Sequence, residues 1–219
     1  MKKSKTAANK KNAPKYSFDS LLDIVERLSG PDGCPWDRVQ THESIRINAI
    51  EEAYEAVDAI DRGDRTAMIE ELGDMLLQTV FHADIARREG NFDINDILQV
   101  LCDKLISRHS HIFGEDKAVD AAQSLSLWEK NKEKEKGRTT EGVRQKLEDI
   151  PQNFPSLLRA VKVFKKLRAA GKLDETGEKP YTESRLEADL LKLARRAALS
   201  SLEPELTLNK ALNKIIEQL

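Results

Sequence analysis

Apolar positions recur every three or four residues along nearly the whole chain and no run alternates at period two, so the pattern predicts helices throughout. Phe18, Leu21, Leu22, Val25 and Leu28 form one stripe and predict a helix over 18–29, ended by Gly30. A second helix is expected over about 41–62 and a third over about 64–88. Gly63 between them suits a left-handed helix end, and Asp64 suits the next cap. Gly90 and Asn91 predict a turn, and Asp93 a cap for a fourth helix over about 94–107. Its stripe of Ile97, Leu98, Leu101, Leu105 and Ile106 is expected to face a core. A fifth helix is expected over about 120–136. Beyond a linker at 137–142 three more are expected, over 155–170, 183–199 and 208–219.

The hairpin over 48–78 organises the chain. Glu51, Glu52, Glu55 and Asp58 lie on its first arm, Glu70, Glu71 and Asp74 on its second. Glu55 precedes Gly63 by eight residues and Glu71 follows it by eight; Glu52 and Asp74 are each eleven away. Two helices rising about 1.5 Å per residue would bring each carboxylate level with its counterpart. Acids three apart share a face, so four carboxylates should converge between antiparallel helices. No lysine lies within 48–60 to neutralise them. Oxygen ligands without sulfur or histidine suit Mg²⁺, with Mn²⁺ as a substitute, rather than zinc. A lone acidic helix usually just faces water; the mirrored spacing about one glycine favours a metal.

Composition narrows the class. Charged residues make up 34% and aromatics 5% of 219 residues, which fits an all-α protein of one or two small domains. The net charge of −2 supplies no basic field, so nucleic acid is not an expected partner. Cys34 and Cys102 make no disulfide framework. No apolar stretch approaches the ~20 residues that cross a membrane. Residues 1–16 hold six lysines and no signal-peptide core, and are expected to be a disordered basic tail. A cytoplasmic protein is expected.

Elsewhere the residues leave alternatives open. Trp36, followed by Asp37 and Arg38 in a loop rich in proline and glycine, is either a plug for the core or part of a nucleobase pocket. Lys104 and Arg108, one turn apart, either complement a helix dipole or grip adjacent phosphates. Trp128 is either a core anchor or an aromatic shelf. His109 and His111 read as structural hydrogen-bonders, since zinc partners are lacking nearby.

In unbroken order over about 17–137, GCPWDRVQTHES, EEAYEAVDAI, EELGDMLLQTVFHA, EGNFDINDI, DKLISRHSHIF and SLWEKNKEKEKG resemble the MazG family of nucleoside triphosphate pyrophosphohydrolases. The resemblance implies an all-α helical bundle completed by dimerisation, and the reaction NTP or dNTP plus water to NMP or dNMP plus pyrophosphate. Its metal motif falls on Glu52, Glu55, Glu71 and Asp74. It further implies that Lys104 and Arg108 hold the triphosphate and that Trp128 and Lys132 lie beside the nucleotide. Trp36 and Arg38 are added as substrate contacts, and Glu51 and Glu55 are the candidates for activating water. Longer members carry two such domains. Here 17–137 is expected to be the catalytic domain, and 138–219 a linker and degenerate second domain, because Leu186 stands where an acid would precede Asp189 by three. Arg46–Asn48 departs from the family's basic, proline-containing stretch, which bears on substrate preference. The rival readings are a non-catalytic helical interaction module and an enzyme narrow for one nucleotide, such as dUTP or dCTP.

Overall fold

The computed structural model describes residues 15–135, 142–174, 176 and 181–219. Twelve α-helices and no strand occur among the described residues, so the protein is all-α as its periodicity predicts. The chain divides into two compact units, Met1–His109 and Ser110–Leu219. Of the tail expected at 1–16, residues 1–14 lie outside the described residues, as do residues 137–141 of the expected linker.

The first unit holds α1 (Phe18–Ser29), α2 (Pro35–Arg38), α3 (His42–Ile45), α4 (Asn48–Asp61), α5 (Arg65–Glu89) and α6 (Ile94–Arg108). Its core is Val25, Ile45, Val80, Phe81 and Ile85, with Leu21, Leu22 and Leu77 packed against it. Each such side chain taken from water stabilises the unit by roughly 1.5–3 kcal/mol. The 25-residue α5 is the spine of this unit, packing against α1, α3, α4 and α6. Asp84 near its C-terminal end is buried, and Arg87 Nη2 at 2.8 Å and Arg88 Nε at 3.0 Å donate to its two oxygens.

The hairpin forms as its turn chemistry requires. Gly63 has φ +65°, a left-handed conformation that costs any residue with a Cβ. Asp64 N–H donates to Ala59 O at 3.0 Å, closing the helix end. The Asp64 side chain accepts from Thr66 N at 3.0 Å and Ala67 N at 3.1 Å, satisfying two amides at the start of α5. On α4 only Ala56 and Ala59 are buried.

Several expectations need correction. The helix expected over 41–62 is interrupted between α3 and α4. Arg46 (φ −58°, ψ −28°) and Ile47 (φ −71°, ψ −37°) remain right-handed, so the hydrogen-bond ladder lapses without a reversal of direction. The stripe of α6 does not face a core within this chain: Leu98, Leu101, Leu105 and Ile106 are all exposed, Ile106 at 51%. Finally, the loop expected around Trp36 contains α2, and the last helix begins at Pro204 rather than at 208. The helices α2, α7 (Ser110–Phe113) and α9 (Val143–Glu148) are too short to show a period.

The second unit comprises α7, α8 (Ala121–Glu135), α9, α10 (Ser156–Ala169), α11 (Glu183–Leu199) and α12 (Pro204–Glu217). Leu147, Ile150, Ala160, Val163, Leu167, Leu212 and Ile216 make its core. Arg159 is buried and donates to Asn209 Oδ1 at 3.0 Å and Asn213 Oδ1 at 2.8 Å. The start of α10 is capped from another helix: Ser156 N–H donates to Glu205 Oε2 of α12 at 2.7 Å. Such a cap is needed because the preceding residue is Pro155, which has no side-chain acceptor.

Candidate active site

Carboxylate oxygens of Glu52, Glu55 and Glu71 lie within 4.8 Å of one another, two from α4 and one from α5. They form the only such cluster of potential metal ligands among the described residues. Glu52 and Glu71 are half-buried and Glu55 is exposed. Neither these three nor Asp74 makes an ion pair or side-chain hydrogen bond among the described residues.

Partial burial, then the nearby charges of Asp74, Glu55 and Glu51, raise the pKa of Glu52 above the ordinary carboxylate value. Burial again, then Glu55, Glu70, Asp74 and Glu52, raise that of Glu71. Asp74 therefore acts on both through its charge, although its oxygens lie outside the three-residue cluster. Uncompensated oxygen donors at this spacing fit a hard divalent cation, which would remove the repulsion that lifts both pKa values.

The other expected site residues are placed separately. Lys104 is half-buried and Arg108 buried on α6, one turn apart. His109 Nδ1 donates to Leu105 O at 2.7 Å, which fits its structural reading. Trp36 is 56% exposed with its ring 6.4 Å from that of Phe81, so it does not plug the core. Arg38 is exposed, and its carbonyl accepts from Arg88 Nη1 at 3.2 Å. In the second unit Lys132 Nζ lies over the Trp128 ring, 4.6 Å from its centroid. Glu51 is exposed, one residue before Glu52.

Sequence reasoning passed over a histidine pair. His42 and His82 stack at 5.0 Å, with their Nδ1 atoms 2.8 Å apart, and the Phe92 ring stacks on His42 at 6.3 Å. Burial, then the charge of His42, lowers the pKa of His82. Forty residues separate the two, and no local pattern marks a contact so distant in sequence.

Fold and site together define an all-helical protein with a cluster of carboxylates across an antiparallel hairpin. The family model for the MazG nucleotide pyrophosphohydrolase domain matches residues 40–113, which contain that hairpin. A nucleoside triphosphate pyrophosphohydrolase/pyrophosphatase MazG of Thermotoga maritima is 35% identical over 219 residues, covering 92% of this chain and 83% of its own. The chain belongs to the MazG family. The nucleoside triphosphate pyrophosphohydrolase of Escherichia coli (strain K12) is 42% identical over 155 residues, 70% of this chain and 58% of that protein. The uncharacterized protein YabN of Bacillus subtilis (strain 168) is 41% identical over 150 residues, 68% of this chain but 30% of that protein. The chain thus spans little more than half of the Escherichia coli relative and under a third of the Bacillus one.

Proposed function

We propose that the chain hydrolyses nucleoside triphosphates, ribo and deoxy, to the monophosphate and pyrophosphate. The convergence of Glu52, Glu55 and Glu71, without a countercharge, carries this reading. Those three with Asp74 would hold Mg²⁺, or Mn²⁺ in its place. When bound, the cation supplies Lewis-acid polarisation of phosphate oxygens and acidifies a coordinated water. Glu51, exposed one residue from Glu52, or Glu55 itself would take the proton from the attacking water. Attack at the α-phosphorus breaks the bond to the bridging oxygen, and pyrophosphate leaves with the charge that Lys104 and Arg108 offset. The family resemblance assigns Trp128 and Lys132 to the nucleotide, and the Trp128 ring with Lys132 over it is a stacking face within the second unit. Stacking accepts any base, so broad nucleotide-pool housecleaning is the expected role. Trp36 is assigned as an outer substrate contact, whereas Arg38, also expected as one, lines a cleft apart from the carboxylates.

A homodimer is part of the proposal. Ile50, Val57 and Ile60 on α4, and Ile69 and Leu72 on α5, are each at least half exposed. An apolar face of that extent beside a candidate site suits a second copy of the chain. The domain at 17–137 is assigned the catalysis, and 138–219 a non-catalytic role. In the latter, Asp189 accepts from Tyr181 Oη at 3.1 Å and Leu186 stands exposed three residues before it. A cytoplasmic setting suits the free thiols of Cys34 and Cys102; no described helix is long and apolar enough to cross a membrane.

The test resolves products chromatographically from a panel of NTPs and dNTPs, with and without Mg²⁺. Monophosphate and pyrophosphate in equal amounts, across several bases, is the expected result. Diphosphate with orthophosphate would move the cleaved bond. Turnover of dUTP or dCTP alone would establish the narrow enzyme, and no turnover at all the interaction module.

A further inference from the structure

A cleft of about 810 Å³ lies in the first unit, lined by Glu26, Arg27, Asp32, Arg38, Arg87 and Arg88, with the Ser29–Pro31 backbone turn between. Its volume is in the range that holds a nucleotide-sized ligand. Four guanidiniums face two lining carboxylates. Arg87 binds buried Asp84 at 2.8 Å and exposed Glu26 at 3.3 Å, and Arg88 binds Asp84 at 3.0 Å. The side chains of Arg27 and Arg38 are exposed and make no ion pair or hydrogen bond among the described residues. Arg27 and the Arg87–Arg88 pair end α1 and α5, where helix dipoles favour cations. The dipole accounts for each arginine singly. Asp84 and Glu26 compensate Arg87 and Arg88, but among the described residues no carboxylate pairs with Arg27 or Arg38, which leaves two guanidiniums on the cleft with donors to spare for an anion.

The loop that completes the cleft is fixed rather than slack. A Cβ on Gly33 would meet Leu28 O at 2.1 Å, so the chain passes against the end of α1 at a distance only glycine permits. Cys34 N–H donates to Leu28 O at 2.7 Å across the same contact. Arg88 Nη1 holds the Arg38 carbonyl at 3.2 Å, which ties α2 to the end of α5. The guanidiniums are thus mounted on positioned backbone. Arg87 lies sixteen residues beyond Glu71 on one continuous helix, a separation of about 24 Å, so the cleft is distinct from the carboxylate site.

We infer that this arginine-lined cleft is a second anion site, which takes the phosphates of pyrophosphate or of a nucleotide without a metal ion. Guanidinium is the side chain best matched to phosphate oxygens, through paired N–H donors. The inference stands apart from the proposed hydrolysis, since it needs neither a cation nor turnover.

The experiment is calorimetric titration of sodium pyrophosphate into the full chain with EDTA present, at low salt. Wild type, Arg27→Glu, Arg27→Lys and Lys104→Ala are compared. Saturable binding is expected in wild type, weakened about tenfold or more by Arg27→Glu. Arg27→Lys should weaken it less than Arg27→Glu, Lys104→Ala should leave the Arg27-dependent binding in place, and added salt should weaken it. Metal-free ATP is then tested as a competitor. Displacement would identify the nucleotide phosphate chain as a ligand, and its absence would restrict the cleft to the inorganic anion; either supports the site. Absent binding, wild-type affinity in Arg27→Glu, or loss on Lys104→Ala would overturn it.

Discussion

Glu52 and Glu71 give up their protons less readily than a free glutamate, because each is half-buried among other carboxylates. A folded-state pKa above the unfolded one means that the native state binds protons more tightly. The pair therefore adds stability below the unfolded carboxylate range and loses it as pH rises through the folded values. At neutral pH the metal-free site opposes folding, and a bound cation offsets that repulsion. Protons and cation compete for the same oxygens. The rise in Tm produced by Mg²⁺ is thus expected to be largest near pH 7–8 and to shrink toward pH 5, in thermal melts with Mg²⁺ or EDTA; a rise that grew on acidification would contradict the assignment. Counting residues outward from Gly63 was enough to find Glu52, Glu55 and Glu71, because a helical hairpin converts sequence spacing into height. It was not enough to place Asp74, whose oxygens stand outside the three-residue cluster. Spacing also gave no sign of Arg27 and Arg87 sharing a cleft, since they come from helices brought together only by the core.

At the scale of elements, the turn at Gly63 sets the register of the hairpin. Gly63→Ala places a Cβ on a residue at φ +65° and is expected to cost about 1 kcal/mol, read as a lower urea midpoint at unchanged slope. An unchanged midpoint would show that the turn relaxes to another conformation. Long helices with clear caps were legible: α1, α5 and α11 run within a residue or so of their expected ranges. Four-residue α2 and α7 carry too little sequence for a period to emerge. The lapse at Arg46–Ile47 was hidden because neither residue is a helix breaker. The start of α12 at Pro204 was likewise missed, though proline suits a first helical turn.

At the scale of the whole molecule, periodicity reports that a helix has an apolar face but not which chain covers it. The stripe of α6 was read as core-facing, yet Leu98, Leu101, Leu105 and Ile106 are exposed in the single chain, as are Ile69 and Leu72 on α5. If a second copy covers the α4–α5 face, charge placed there should separate the protomers. Ile69→Asp with Leu72→Asp is expected to weaken self-association by at least about 100-fold in sedimentation, since two aspartates would be buried without partners. A wild-type chain that sediments as a monomer at all concentrations would remove the dimer from the proposal. The division at His109 was not marked in the sequence, where glycine-bounded residues 137–142 gave the stronger linker signal.

The central claim is that the hairpin carboxylates hold the cation on which hydrolysis depends. Pyrophosphate release from ATP, followed against Mg²⁺ concentration in wild type and Glu71→Gln, tests it most directly. The account predicts saturable Mg²⁺ dependence in wild type and a loss of at least about 100-fold in the folded variant, which keeps the side chain's shape but removes its charge. Wild-type turnover in Glu71→Gln would contradict it.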